Sequence, residues 1–194
     1  MGKAALDELF AEIRSCTVCA EKLPLGPRPV LRGRPSARLF IISQAPGTRV
    51  HETGLSFNDR SGDRLRQWLG IEREDFYDEA RIAIMPMGFC YPGRGKSGDL
   101  PPRLECIPLW HERVLAVLPR IELTLLVGSY AIDHYLGARR KRSMGETVAA
   151  WREYLPHYLP LPHPSWRTMM FERRNPWFEA QLLPELRRRV RALL

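Results

Sequence analysis

Leu6, Leu9, Phe10 and Ile13 share one face at helical spacing, which predicts an amphipathic helix over 4–14 at the start of the chain. Farther along, the pattern changes to short apolar runs bounded by glycine, proline and charge. These predict buried strands over 37–43, 80–87, 123–128 and 155–161. Between the strands, Leu65, Trp68 and Leu69 mark the buried side of a helix over 61–69, with Ser61 as its cap. Further helices are expected over 104–118, 130–136 and 176–193. Strands alternating with helices predict an α/β fold of three layers, α/β/α, around a central, mostly parallel four-stranded sheet. No internal repeat or low-complexity linker interrupts the pattern, so the 194 residues are expected to form one domain over 1–194.

The breaks in this pattern locate the candidate chemistry. In open parallel sheets, ligands bind beyond the carboxyl ends of the strands. Two polar turns fall there: Gln44, Ala45, Pro46 and Gly47 after the first strand, and His163, Pro164 and Ser165 after the fourth. A loop over 91–102, rich in glycine and proline, follows the second strand, and loops of that length are uncommon unless functional or pinned.

Hydrophobic residues make up 44% of the chain and charged residues 27%, an ordinary globular balance. The longest apolar runs, 39–42 and 123–127, are too short to cross a bilayer, and the charged first ten residues lack a secretory signal. A cytoplasmic location with no membrane partner is the expectation. A formal net charge of +8 points to a polyanionic partner, because clustered Lys and Arg gain affinity by releasing counterions from phosphates. Much of that excess sits in two runs, 139–142 and 187–191, the second of which reads equally well as the solvated face of a terminal helix.

Four cysteines remain to be placed. Cys16 and Cys19 form a C-x-x-C pair after the first helix, while Cys90 and Cys106 flank the long loop. Such a set can form a four-thiolate shell stapling the N-terminal helix to that loop, and by spacing alone zinc and an iron–sulfur cluster are both open. Unrelated cysteines buried as small hydrophobes are the plainer alternative.

Together these residues resemble the family four and family five uracil-DNA glycosylases. The cysteine spacing is similar to their 4Fe-4S ligands. Ser43-Gln44-Ala45-Pro46-Gly47 resembles their first active-site motif, Gly54-Leu55-Ser56-Phe57 their Gly-x-x-Phe segment, and His163-Pro164-Ser165 their second motif. The resemblance implies a single α/β domain, expected as a monomer, that binds DNA and hydrolyses the glycosidic bond of an extruded base. It implies a 4Fe-4S cluster on Cys16, Cys19, Cys90 and Cys106, with zinc as the alternative. His163 would act on the base oxygen with the backbone of the turn from Gln44 through Ala45 and Pro46 to Gly47. Phe57 would stack on the base, Ser165 would hold a backbone phosphate, and 166–175 would be a loop entering the duplex, with Trp166, Arg167 or Met169 as the wedge.

Three residues depart from the family's pattern. Ala45 stands where some members carry a carboxylate, so Asp59 is the candidate for positioning water, in a stretch similar to the Asp-x-Ser-Gly of family five. Asp59 also reads as a helix cap. Pro86 stands where family four has an Asn that reads uracil, and its side chain has neither donor nor acceptor. Gln44 replaces a Glu. These departures keep open a DNA-binding or damage-sensing protein without turnover, and more remotely a zinc-stapled hydrolase of free nucleosides. Arg139 and Arg140, in the first basic run, are candidates for phosphate contact.

Overall fold

The computed structural model describes residues 3–96 and 98–194. Helix α1, Lys3–Arg14, buries Leu6, Leu9, Phe10 and Ile13, the face its spacing predicts. Strand β1, Leu39–Ser43, is buried at every position, as expected of a central strand covered on both faces. A short helix α2, Thr48–Thr53, follows the turn, then α3, Arg60–Leu69, and α4, Arg73–Phe76. After β2, Ile82–Pro86, a short hairpin of β3, Arg94–Gly95, and β4, Gly98–Asp99, rises from the loop over 91–102. A wide helical turn, Ile107–His111, leads into α5, Glu112–Ala116. Then come β5, Leu123–Val127, α6, Ser129–Leu136, α7, Met144–Ala149, and β6, Tyr158–Leu161. Helix α8, Thr168–Arg174, and α9, Leu183–Leu193, complete the chain.

The four long strands form one parallel sheet in the order β2-β1-β5-β6, with helices on its faces. The chain leaves β1 in one direction to make β2 and returns on its other side to make β5. The strand order therefore reverses at β1, and a crevice opens beyond its carboxyl end. The outer edge of β2 is closed by an antiparallel bridge from Arg32 to Ile84, which covers backbone groups that would otherwise be free to pair. On β6, Pro160 pairs with Leu126 at the opposite edge, where a missing N–H is tolerated. Trp68 of α3 meets Phe178 edge-on at 5.1 Å, fixing α3 against the C-terminal helical segment.

Several local expectations are corrected. The cap of α3 is Asp59, whose side chain accepts from the Gly62 N–H at 2.8 Å, and Ser61 lies inside the first turn. The helix expected over 104–118 is shorter, a wide turn over Ile107–His111 followed by five residues of α-helix, with Pro108 in the first turn where its missing N–H is tolerated. The strand expected from 155 starts at Tyr158, after a tight helical turn over Trp151–Tyr154 and Pro156. The segment 166–175, expected as a loop, is a tight turn followed by α8. Helices α2, α4, α7 and α8 are four to seven residues long, too short to show a helical period in sequence.

Candidate active site

The turn after β1 is built by ties between neighbouring strand ends. The N–H of Met87 donates to the Ser43 carbonyl at 2.8 Å, and that of Gly88 to the Gln44 carbonyl at 3.1 Å. The turn is thereby stitched to the chain leaving β2. Beyond it lies a small cavity of about 40 Å³, lined by Ala45, Pro46 and Gly47 from the turn, Phe57 and Asp59 from the segment before α3, and Pro86 and His163 from the ends of β2 and β6. Residues more than a hundred positions apart thus share one pocket. Gln44 does not line it; its backbone carbonyl holds the turn instead.

Phe57 is 7% exposed and has φ of +56°, a left-handed conformation rare for a side chain of this size. Its neighbours hold it there. Tyr77 donates from its hydroxyl to the Ser56 carbonyl at 2.9 Å, and Phe76 meets the Phe57 ring edge-on at 5.9 Å. A Cβ at Gly62 would lie 2.8 Å from the Phe57 Cβ and collide with its carbonyl, so α3 can approach only with glycine at that position. Backbone strain held by its surroundings is characteristic of functional sites.

His163 follows β6 and is braced by the turn behind it. The Ser165 N–H donates to the His163 carbonyl at 2.8 Å, and the Thr168 hydroxyl donates to the same oxygen. Gly128, at φ of +91°, lies beneath the imidazole, where a Cβ would stand 3.6 Å from that of His163. Burial pushes the His163 pKa below the ordinary histidine value, with the charge of Asp59 acting against it. The ring is therefore neutral at neutral pH and able to donate one hydrogen bond into the pocket. Asp59 divides its two oxygens: Oδ1 caps α3, while Oδ2 would lie 4.0 Å from a Cβ placed on Gly47.

Sequence reasoning missed a second carboxylate here. Asp99, on β4, brings Oδ2 to 3.4 Å from the same position over Gly47. Partial burial pushes its pKa up, Arg94 pulls it down, and the charge of Asp59 raises it again. On the same strand, a Gly98 Cβ would lie 3.5 Å from the Arg167 guanidinium. The only sequence signal was the length of the loop, since no motif surrounds Asp99.

A family model for the uracil DNA glycosylase superfamily matches residues 31–187. The chain belongs to that superfamily. Uracil DNA glycosylases hydrolyse the bond between a base and deoxyribose in DNA, and the matched span contains every pocket residue named above. It starts after Cys16 and Cys19, so the match speaks to the superfamily and leaves the iron–sulfur subtype unaddressed.

All four cysteines line a second cavity, of about 20 Å³, together with Leu23, Pro27, Pro29, Phe89, Arg103 and Trp110. Among the described residues no group of three or more His, Cys, Asp or Glu side chains converges closely enough to hold a metal ion. Burial pushes the Cys90 thiol up to about 11 and the Cys106 thiol up to about 12, so both stay protonated at neutral pH unless a cation draws the proton off. Two buried donors at this cavity, Arg103 Nε and Trp110 Nε1, have no hydrogen-bond partner among the described residues. Four thiols that a bound cation could deprotonate, with N–H groups placed to donate to sulfur, are a donor set that fits a sulfur-rich cluster.

The residues expected to meet DNA separate into two sets. Ser165 and Trp166 line an open cleft of about 720 Å³ that shares Ser61 with the Phe57 pocket, and Arg60, Arg64 and Trp68 are also in its wall. Trp166 is 75% exposed, Met169 is exposed one turn on, and Arg167 lies over the Trp166 ring. Arg139 and Arg140 are not brought to this face. Helix α6 runs back along the sheet from the end of β5, leaving Arg139 over the ring of Tyr158, the first residue of β6. They stand at the amino ends of the strands, opposite the pocket, and Arg140 pairs with Asp133 at 3.2 Å. In the C-terminal run, Arg188 and Arg189 both pair with Glu185. Among the described residues no helix is long and apolar enough to cross a membrane.

Proposed function

We propose that this chain is a monofunctional DNA glycosylase that draws a deaminated base, uracil or a related one, out of the duplex and hydrolyses its bond to deoxyribose. The observation that carries this reading is the shared pocket: Phe57, His163 and the turn from Ala45 to Gly47 all line one cavity at the switch point of the sheet. Phe57 offers a ring for stacking, and neutral His163 offers a donor to a base oxygen as negative charge develops on the departing base. Asp59 sets a carboxylate beside the turn, where positive charge develops on the sugar. The cavity holds little more than a water or two as it stands, so admitting a base requires the mouth to open toward the adjoining cleft. Ser165 would hold a phosphate and exposed Trp166 would enter the space the base leaves.

The same reading assigns the chain to the iron–sulfur branch of the superfamily, with Cys16, Cys19, Cys90 and Cys106 holding a 4Fe-4S cluster. Because the thiols ring a cavity and do not converge on a point, such a cluster suits them better than zinc, whose bonds of about 2.3 Å would draw four sulfurs together. Bound there, the cluster would supply a cross-link between the segment after α1 and the loop that carries the β3–β4 hairpin.

Pro86 favours a second reading, a DNA-binding damage sensor without turnover. It lines the pocket with an apolar ring where a base-reading amide would otherwise stand. Labelled duplexes and single strands carrying uracil, hypoxanthine or xanthine, incubated with the protein and treated with alkali, decide between the two. Strand breaks at one or more of these bases are the expected result. Tight, salt-sensitive binding with no break across the panel would establish the sensor instead.

A further inference from the structure

We propose that Asp99 is a second carboxylate of the active site and holds the attacking water jointly with Asp59. The inference rests on the glycosylase reading and deepens it. The two carboxylates approach Gly47 from different parts of the chain, Asp59 from the start of α3 and Asp99 from the hairpin inside the cysteine-bounded loop. Their Oδ2 atoms lie 4.0 and 3.4 Å from one point above that glycine, which itself lines the base pocket. Both oxygens thus face the same side of Gly47, and the shared water would sit between them, clear of the glycine backbone.

The geometry divides their labour. Asp59 gives one oxygen to the Gly62 N–H at the start of α3 and is held in place by that cap. Asp99 caps no helix and is exposed to solvent on its hairpin. The charged groups facing it are Arg94 across the hairpin, Asp59 across Gly47 and the Arg167 guanidinium beside Gly98, with His163 beyond Asp59. Partial burial and the charge of Asp59 both increase its affinity for a proton. In hydrolysis the oxygen of water bonds to C1′ as the bond from C1′ to the base nitrogen breaks. The electron pair leaves with the base, and one water proton passes to Asp99. Asp59 remains ionised beside the positive charge on the sugar.

The test uses the full-length protein on whichever base of the panel it excises, under single-turnover conditions with enzyme in excess. Asp99→Asn is expected to slow excision about 100-fold, the scale of a general base. DNA affinity, read by fluorescence anisotropy, should change less than about twofold, and the acidic limb of the rate profile should flatten. Asp99→Glu should recover part of the rate and restore the limb. An Asp99→Asn protein that cleaves at the wild-type rate, or whose loss follows its DNA affinity or melting temperature, overturns the assignment while leaving the glycosylase reading intact. A wild-type protein that cleaves no base of the panel overturns that reading, and this assignment with it.

Discussion

Gly62 packs directly against the backbone of Phe57, with no room for even a methyl group between them. The glycine lets α3 close on a residue held at positive φ, and the same turn directs Asp59 toward the pocket. Gly62→Ala should therefore be strongly destabilising, by about 3 kcal/mol, because backbone and ring must both move. A urea midpoint close to that of the wild-type protein would show that the turn relaxes easily and that the Phe57 mount is not rigid.

His163 brings an imidazole into the pocket wall. His163→Ala should lower the single-turnover excision rate by about 100- to 1000-fold, the effect of removing a donor aimed at developing charge. Affinity for undamaged DNA should hardly change. Unchanged rates would remove His163 from the mechanism.

The cysteine cavity predicts a coloured protein. Anaerobic purification should give a brown sample with broad absorbance near ~400 nm and bound iron. Cys106→Ala should lose iron and make the loop between Cys90 and Cys106 sensitive to protease, since the cross-link holding it would be gone. Stoichiometric zinc with no visible absorbance would instead identify a zinc staple.

His111 links two of these regions and titrates against the fold. Its Nε2–H donates to the Met87 carbonyl at 3.1 Å, and its Nδ1 accepts from the Tyr135 hydroxyl at 2.8 Å. Burial lowers its pKa to about 4, from about 6.5 in the unfolded chain. The unfolded state thus binds the extra proton first. The contribution is fully present above about pH 6.5 and is lost progressively as pH falls toward about 4, amounting to about 3 kcal/mol. His163 acts in the same direction. Melting temperatures measured across this window should fall with pH, and His111→Gln should flatten the fall; an unaltered slope would exclude His111 as its source.

Only one end of the sheet is predicted to meet DNA. Trp166→Ala should weaken binding to a damaged duplex, whereas a double Arg139→Ala and Arg140→Ala protein should bind within about twofold of wild type, because these residues stand at the opposite end and Arg140 is already paired. A large loss of affinity or of salt dependence in the double variant would put a second DNA surface there.

What the chain encodes locally was legible from its order of residues. Continuous apolar runs specify strands buried on two faces, and β1, β2 and β5 lie where those runs stand. The turns at Gln44 to Gly47 and His163 to Ser165 were legible too, because proline and glycine punctuate a strand end in a way that does not depend on distant neighbours. Asp99 was not legible. A two-residue hairpin leaves no periodic trace, and its carboxylate acquires a role only because the loop folds back over Gly47. Arg139 and Arg140 show the converse: charge in sequence has no direction, and the return path of α6 turned theirs away from the pocket. Local backbone preference acts over a few residues, while a site's chemistry depends on distances of a few ångströms between residues far apart in the chain. Those distances are set by how the layers pack.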